Sequence, residues 1–342
     1  MILGRTGARQ PTTRWLPPTA SVFAMALSIC LATTTAIRAQ QPPGAAVPPA
    51  PRSDMSFADV IFDSLGGDVY APGRWKPLPF GTFFSEGWDE PWAGGPAGQG
   101  GEGGPRQGWL NAADGVFYRL GLLTFGYAHD VGNGDNWTSG LTLYTPFNRR
   151  FELRWDIPLI LSNRGSVPGA DYHISSPDFQ LTPRFALSET EDSAQSFDVT
   201  FRLPTGDVIN NQGQAAVTPF YNFWVSPWAG LVVRGGLGFG IPFGNQSVNE
   251  LNARSTFLSN LALGYYFTPH DFGPIGDMVW YVSTNLNTAI DHRGPNTTNV
   301  SLTPGFRIHL GYDWYGLGGT EFPVTSPEPF DYQVLGALMK VW

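Results

Sequence analysis

The sequence predicts an all-β protein, a transmembrane antiparallel β-barrel of about 12 strands with an irregular N-terminal extension. Three observations lead there. From Val116 onward, apolar and polar residues alternate with period two, segment after segment. Most of these segments run ten to fourteen residues, whereas soluble strands have about five or six and a tilted strand needs roughly 9–11 to cross a bilayer. Aromatics reach 14 % and charged residues only 14 %, against roughly 25 % charged in an average soluble domain. That balance argues against an ordinary soluble enzyme. A formal charge of −8 without a large basic patch argues against nucleic acid as a partner.

Residues 1–39 read as an export signal. Arg5, Arg9 and Arg14 make a basic start without an acidic residue. Ser21 to Thr35 is an apolar stretch too short for a membrane-spanning helix of about 20 residues. A retained anchor is the competing reading. Cys30, the single cysteine, falls inside this stretch, so a processed chain has no thiol or disulfide chemistry. Residues 40–53 (QQPPGAAVPPAPRS) form a proline-rich linker. Residues 54–115 are the extension, an aromatic segment followed by a low-complexity run from Gly94 to Gly108. Phe80, Phe83, Phe84, Trp88 and Trp92 need burial, and the sequence places them as plug contacts in the periplasmic mouth or bore of the barrel. A periplasmic tether packed on the rim is the alternative.

Residues 116–342 are the barrel. Its segments fall near 116–128, 137–147, 150–162, 176–188, 195–204, 215–226, 228–243, 255–268, 278–291, 297–309, 312–324 and 330–342. In the third, Phe151, Leu153, Trp155, Ile157, Leu159 and Leu161 oppose Glu152, Arg154 and Asp156, as on a strand with one apolar and one polar face. With both chain ends on one side, that side carries short turns at 147–149, 226–228 and 310–312 and the longer 189–194 and 269–277, so the asymmetry is imperfect. The other side carries 129–136, 163–175, 205–214, 244–254 and 292–296, rich in Gly, Asn and Asp. Short periplasmic turns and longer external loops describe an outer-membrane barrel, and closure removes the exposed edges. The run Gly235 to Gly240 lies inside a strand pattern, where glycine serves close contact rather than phosphate binding. Trp342, with Leu338 and Val334 in phase, resembles the aromatic carboxy-terminal signal read by the barrel assembly machinery. Lys340 departs from it and is expected to snorkel.

A tripeptide recurs: Leu181-Thr182-Pro183, Val217-Thr218-Pro219 and Leu302-Thr303-Pro304. Each is followed by an aromatic, Phe185, Tyr221 and Phe306, on the outward face of an even-numbered strand. Proline removes a ladder donor, so three copies suggest a repeated bend in the wall. With Arg202 to Asp207 (RLPTGD), these elements resemble the bacterial outer-membrane barrel family named for the MetA pathway of phenol degradation, whose members are described as transporters. The resemblance covers roughly residues 116–342 and implies uptake of aromatic or other small hydrophobic compounds. It supplies no active-site residue.

The five histidines, His129, His173, His270, His292 and His309, show no metal-ligand spacing, and no cofactor or metal is implied. His173-Ile174-Ser175 is similar to the His-x-Ser arrangement of outer-membrane phospholipases, but Ser176 and Pro177 follow where those enzymes have asparagine and glycine. The informative polar residues are the lumen-lining set: Arg119, Glu152, Arg154, Asp156, Asp178, Arg184, Asp198, Arg202, Arg234, Arg307, His309 and Glu321. They make either a charged pathway that guides anionic solutes or a salt-bridged interior that keeps a narrow barrel rigid. The expected function is a channel or transporter in the outer membrane for passive passage of small solutes, with membrane lipid and the assembly machinery as partners. An outer-membrane lipid-modifying enzyme and a structural barrel with a periplasmic interaction arm are the alternatives.

Overall fold

The computed structural model describes residues 75–94, 106, 108–131, 134–164, 172–206, 213–228, 230–243, 254–268, 272, 275–291 and 298–342. The export signal, the proline-rich linker, residues 54–74, His270 and His292 lie outside the described residues.

Thirteen strands follow in chain order: β1 Leu120–Val131, β2 Gly134–Pro146, β3 Phe151–Arg164, β4 Tyr172–Ser175, β5 Gln180–Glu189, β6 Ser193–Arg202, β7 Ala215–Trp228, β8 Leu231–Phe243, β9 Thr256–Tyr266, β10 Gly276–Ala289, β11 Thr298–Gly311, β12 Trp314–Pro323 and β13 Tyr332–Val341. All neighbours are antiparallel. β1 pairs with both β2 and β13, from Leu120↔Val341 to His129↔Tyr332, so the sheet closes on itself. β4 and β5 both pair with β3 and form two pieces of one wall strand, which gives a closed barrel of twelve.

The pleat decides which residues face which solvent. In β9, Asn260, Ala262 and Gly264 are buried while Leu261, Leu263 and Tyr265 are exposed. A soluble fold would show the reverse, with the apolar set inside. Here the interior holds the polar and small residues together with a packed set that includes Trp224, Tyr281, Tyr315 and Met339, and further large apolar residues cover the outside. The chain enters β1 and leaves β13 at one end, the terminus end. That end carries tight connections, such as 190–192 between β5 and β6 and 312–313 between β11 and β12, and one longer one between β9 and β10. Tyr312 and Asp313 both adopt positive φ (51° and 60°), the geometry a two-residue hairpin needs. The opposite, loop end joins β1 to β2 by two residues only, and its other connections, between β3 and β4, β6 and β7, β8 and β9, β10 and β11, and β12 and β13, are longer.

Two expectations need correction. The first strand begins at Leu120 rather than Val116, because residues 116–118 lie in the bore. The fourth is broken at 176–179, between β4 and β5. Pro177 has no N–H to give the ladder. The Asp178 carboxylate accepts bonds from the amides of Gly206, Gly213 and Gln214 and from Arg202 Nε, which turns this stretch toward the loop end.

The repeated Thr-Pro pairs have a visible effect. Pairing of β5 with β6 skips Thr182-Pro183, that of β7 with β8 skips Thr218-Pro219, and that of β11 with β12 skips Thr303-Pro304, each without a register shift. In β8, a Cβ on Gly236 would lie 2.3 Å from the Phe220 ring and one on Gly238 would lie 2.4 Å from the Pro219 carbonyl. These glycines let β7 and the Phe220 ring close over β8.

Candidate functional site

The bore is crossed by the chain just ahead of β1. Residues 108–118 enter at the terminus end, pass from one side of the wall to the other, and return to begin β1 through Arg119. The sequence there, Trp109-Leu110-Asn111-Ala112-Ala113-Asp114-Gly115-Val116, has small residues that permit close approach. Asn111 takes the left-handed conformation (φ 51°) that asparagine tolerates best among residues with a side chain.

The segment is held mainly by hydrogen bonds to side chains scattered around the barrel. Trp109 stacks on Tyr281 (centroids 4.8 Å apart), and its indole N–H donates to the Tyr266 hydroxyl at 3.1 Å. The Leu110 amide donates to the Tyr281 hydroxyl at 2.9 Å. Asn111 Nδ2 donates to Glu321 (2.7 Å) and Thr303 (3.3 Å), while its carbonyl accepts from Asn260 Nδ2 (2.9 Å) and from Ser283. The Ala113 amide donates to Asn260 Oδ1 at 2.6 Å. The Tyr118 amide donates to Glu152 at 2.7 Å. Gly115 marks the tightest point, since a Cβ there would lie 2.7 Å from the Phe223 carbonyl carbon and 2.8 Å from the Trp224 nitrogen.

The charged residues of the interior are tied to this segment and to one another. Arg184 is fully buried and bonds Asp198 at 3.0 Å, Glu152, and the carbonyls of Asp114 and Val116. Arg234, also buried, bonds Asp114 and the Tyr118 hydroxyl (2.8 Å) and lies over the Trp109 ring. In a low-dielectric interior such charges persist only when paired and hydrogen-bonded. Arg307 is different. Its guanidinium sits between the rings of Tyr266 and Tyr315, 5.2 and 5.0 Å from their centroids, and none of its three nitrogens has a hydrogen-bond partner among the described residues. His309 packs on Tyr315 beside it.

On the loop-end side of the segment lies a cavity of about 340 Å³. Thr124, Thr138, Thr142, Arg154, Asp156 and Gln180 contribute to its lining, with Arg154 bonded to Asp156 at 2.8 Å. Pro158 of β3 and Pro177 and Asp178 of the break also line it. The β3 residues 157–160 pair with neither β4 nor β5, so the wall is interrupted beside the cavity.

Of the expected lumen residues, Arg119, Glu152, Arg184, Asp198, Arg234, Arg307 and His309 are buried on the inner side. Arg154 and Asp156 face the cavity. Glu321 holds Asn111 and Ser301. Asp178 and Arg202 organise the loop end. The aromatic segment is a correction. Phe80 and Phe84 are exposed, Phe83, Trp88 and Trp92 are half-buried, and Trp88 packs on Phe185, which points outward from the wall. The segment that carries Phe80, Phe83, Phe84 and Trp88 is thus packed at the terminus-end rim, as in the alternative reading, and residues 108–118 cross the bore. Burial demand was readable in the aromatics, but its direction was not. The side chains of His173 and Ser175 in β4 lie outside the described residues. Among the described residues, no three His, Cys, Asp or Glu side chains group as metal ligands.

No family model matches the chain. No curated protein matches it either. Among solved structures, the COG4313 outer membrane channel from Pseudomonas putida F1 is similar, with a TM-score of 0.51 at 9 % identity, over 69 % of this chain and 99 % of that one. The NanC porin also aligns, over 65 % of this chain and 99 % of its own, with a TM-score of 0.43 at 8 % identity. At 9 % identity, the likeness to the channel is one of fold, that of a twelve-stranded outer-membrane-type barrel.

Proposed function

We propose that the chain is an outer-membrane channel for small solutes, held closed by residues 108–118 and opened when that segment leaves the bore. The carrying observation is that the closing element is not part of the wall. It is a loop fastened by side-chain hydrogen bonds to Glu152, Asn260, Tyr281, Thr303 and Glu321. Releasing it leaves the ladder of the barrel unbroken. The terminus end then faces the periplasm, since four of its five connections are short and five of the six at the loop end are longer. Assembly through the outer-membrane insertion machinery, using the outward Leu338 and Trp342 at the end of the chain, belongs to the same reading.

The finer reading is that the solutes are aromatic or hydrophobic. It is supported by the cavity beside the interrupted wall, where a solute too apolar for a water-filled path meets Pro158, Pro177 and the outward face of β3. The test is single-channel conductance in planar bilayers, comparing the full chain with Gly115→Val. The added side chain collides with backbone of β7 that cannot yield, so a larger or longer-lived open conductance is expected. Gly81→Ala, with nothing within 4 Å of its new carbon, serves as the control. Identical silent traces from the full chain and Gly115→Val, with both proteins folded, would favour the structural barrel instead.

A further inference from the structure

The barrel is joined at its terminus end by a second piece of chain, residues 75–94, whose Trp75 shares the Arg106 guanidinium with the inner Trp224 while residues 78–90 are fastened to the turns. It is fastened firmly. Leu78 exchanges two backbone hydrogen bonds with Glu189, at 2.7 and 2.8 Å. Arg150 donates to the carbonyls of Pro79 (3.0 Å) and Glu86 (2.9 Å) from this piece, and to those of Ala186 (3.0 Å) and Leu187 (2.9 Å) from β5. Arg149 bonds Glu90 at 3.2 Å. With both arginines buried and the piece pinned to two turns, the side chains it presents outward are set by the fold.

Those side chains are large and apolar. Phe84 is 93 % exposed and Phe80 64 % exposed. Phe84 meets Phe83 edge-on (5.0 Å), and Phe83 meets Trp88 (5.6 Å), whose indole N–H donates to the Phe83 carbonyl at 2.6 Å. Trp88 lies 6.5 Å from Phe185, Phe185 lies 5.5 Å from Phe151, and Phe151 lies 5.6 Å from Phe147. Phe185 and Phe151 are a cross-strand pair on the outward, apolar face of β5 and β3. The aromatic run is thus continuous from the membrane-facing wall to Phe84, and Phe80 stands exposed one short helical turn before Phe83.

We propose that residues 75–94 form a foot lying on the periplasmic leaflet beside the barrel, with Phe80 and Phe84 inserted in the interfacial layer of a zwitterionic phospholipid surface. The inference rests on the reading that the barrel spans the membrane. Aromatic rings favour that layer, where one edge is apolar and the other wet. The charges select the lipid. Glu86 and Asp89 are exposed, and Lys76 is already paired with Glu90 at 2.8 Å, so anionic headgroups are not attracted. The aromatic segment whose composition suggested a plug is a membrane contact outside the pore.

The test uses the full chain in phosphatidylcholine vesicles, with Cys30→Ser and a nitroxide at one of three positions: Phe84→Cys, Asp89→Cys or Leu261→Cys. Leu261 is an outward residue of β9, so its label reports whether the wall faces lipid. Oxygen should reach the label at position 84 several-fold better relative to a water-soluble nickel complex than it reaches the label at 89, approaching the ratio at 261. A water-like ratio at 84 beside a lipid-like ratio at 261 overturns the foot while sparing the barrel. A water-like ratio at 261 overturns the membrane reading and the foot with it. Adding phosphatidylglycerol should not deepen the label at 84, and a deepening would overturn the assignment to zwitterionic lipid.

Discussion

Arg184 and Arg307 are both fully buried on the inner side of the wall, and they are held by opposite means. Arg184 neutralises Glu152 and Asp198, so Arg184→Met leaves two buried carboxylates without their cation and should cost about 3–5 kcal/mol. Arg307 lies between two tyrosine rings, so Arg307→Met exchanges a desolvated charge for a thioether that packs on the same faces. It should be neutral or stabilising. Thermal unfolding in detergent checks both, and equal losses would show that Arg307 depends on an ionic partner. In the foot, burial raises the Glu90 carboxyl pKa, but hydrogen bonds from Lys76 and Arg149 outweigh this and leave it below its usual value. A depressed folded-state pKa gives stability that is present above the unfolded value near 4.5 and is lost as pH falls through the folded one. The effect is small, because Glu90 is a third exposed. Hydrogen exchange of residues 75–94, corrected for intrinsic rate, should stay flat from about pH 7 to 5 and rise below about pH 4. In Glu90→Gln that step should be missing.

Among the elements, β3 was legible up to Ile157, where the apolar Phe151, Leu153, Trp155 and Ile157 oppose Glu152, Arg154 and Asp156. Beyond it residues 157–161 are all apolar, and a register shift that skips Leu159 leaves Leu159 and Ile160 both exposed. The break in the fourth wall strand was hidden. Phe179 to Leu187 alternate well, and nothing local shows that Asp178 gathers amides from residues 28 to 36 positions downstream. Asp178→Ala removes that acceptor and should open the β6–β7 connection to limited proteolysis while the thermal transition of the barrel barely moves. Unchanged cleavage would mean that the loop is held elsewhere. The loop 108–118 was the least legible element. It has no periodicity, and its partners lie on strands from β2 to β12, so only the closed wall brings them together.

For the molecule as a whole, each wall strand pairs with its sequence neighbour, except where β13 meets β1. The consecutive hairpin-like pairings were legible from strand length and turn spacing, and the closing pair follows because exposed edges are costly. The seam can be tested directly. Thr124 of β1 stands opposite Ala337 of β13, a pairing that only a closed sheet allows. With Cys30→Ser, the pair Thr124→Cys and Ala337→Cys should form an intramolecular disulfide under mild oxidant, and its failure to form in folded protein would show an open seam.

Arg119 alone separates Tyr118, inside the bore, from Leu120, the first residue of the wall, and its carbonyl accepts a hydrogen bond from the Trp342 amide at 3.0 Å. On the channel reading, the closing segment is a strap and not a cork, tied at its other end by Arg106 to Glu189, Thr190 and Glu191. If it leaves the bore as proposed, it stays joined to the seam through Arg119. Re-closure is then a first-order event whose rate depends on the tether and is independent of how many copies the membrane holds. On that reading each molecule carries its own closed state, and an opened pore should shut again without another component.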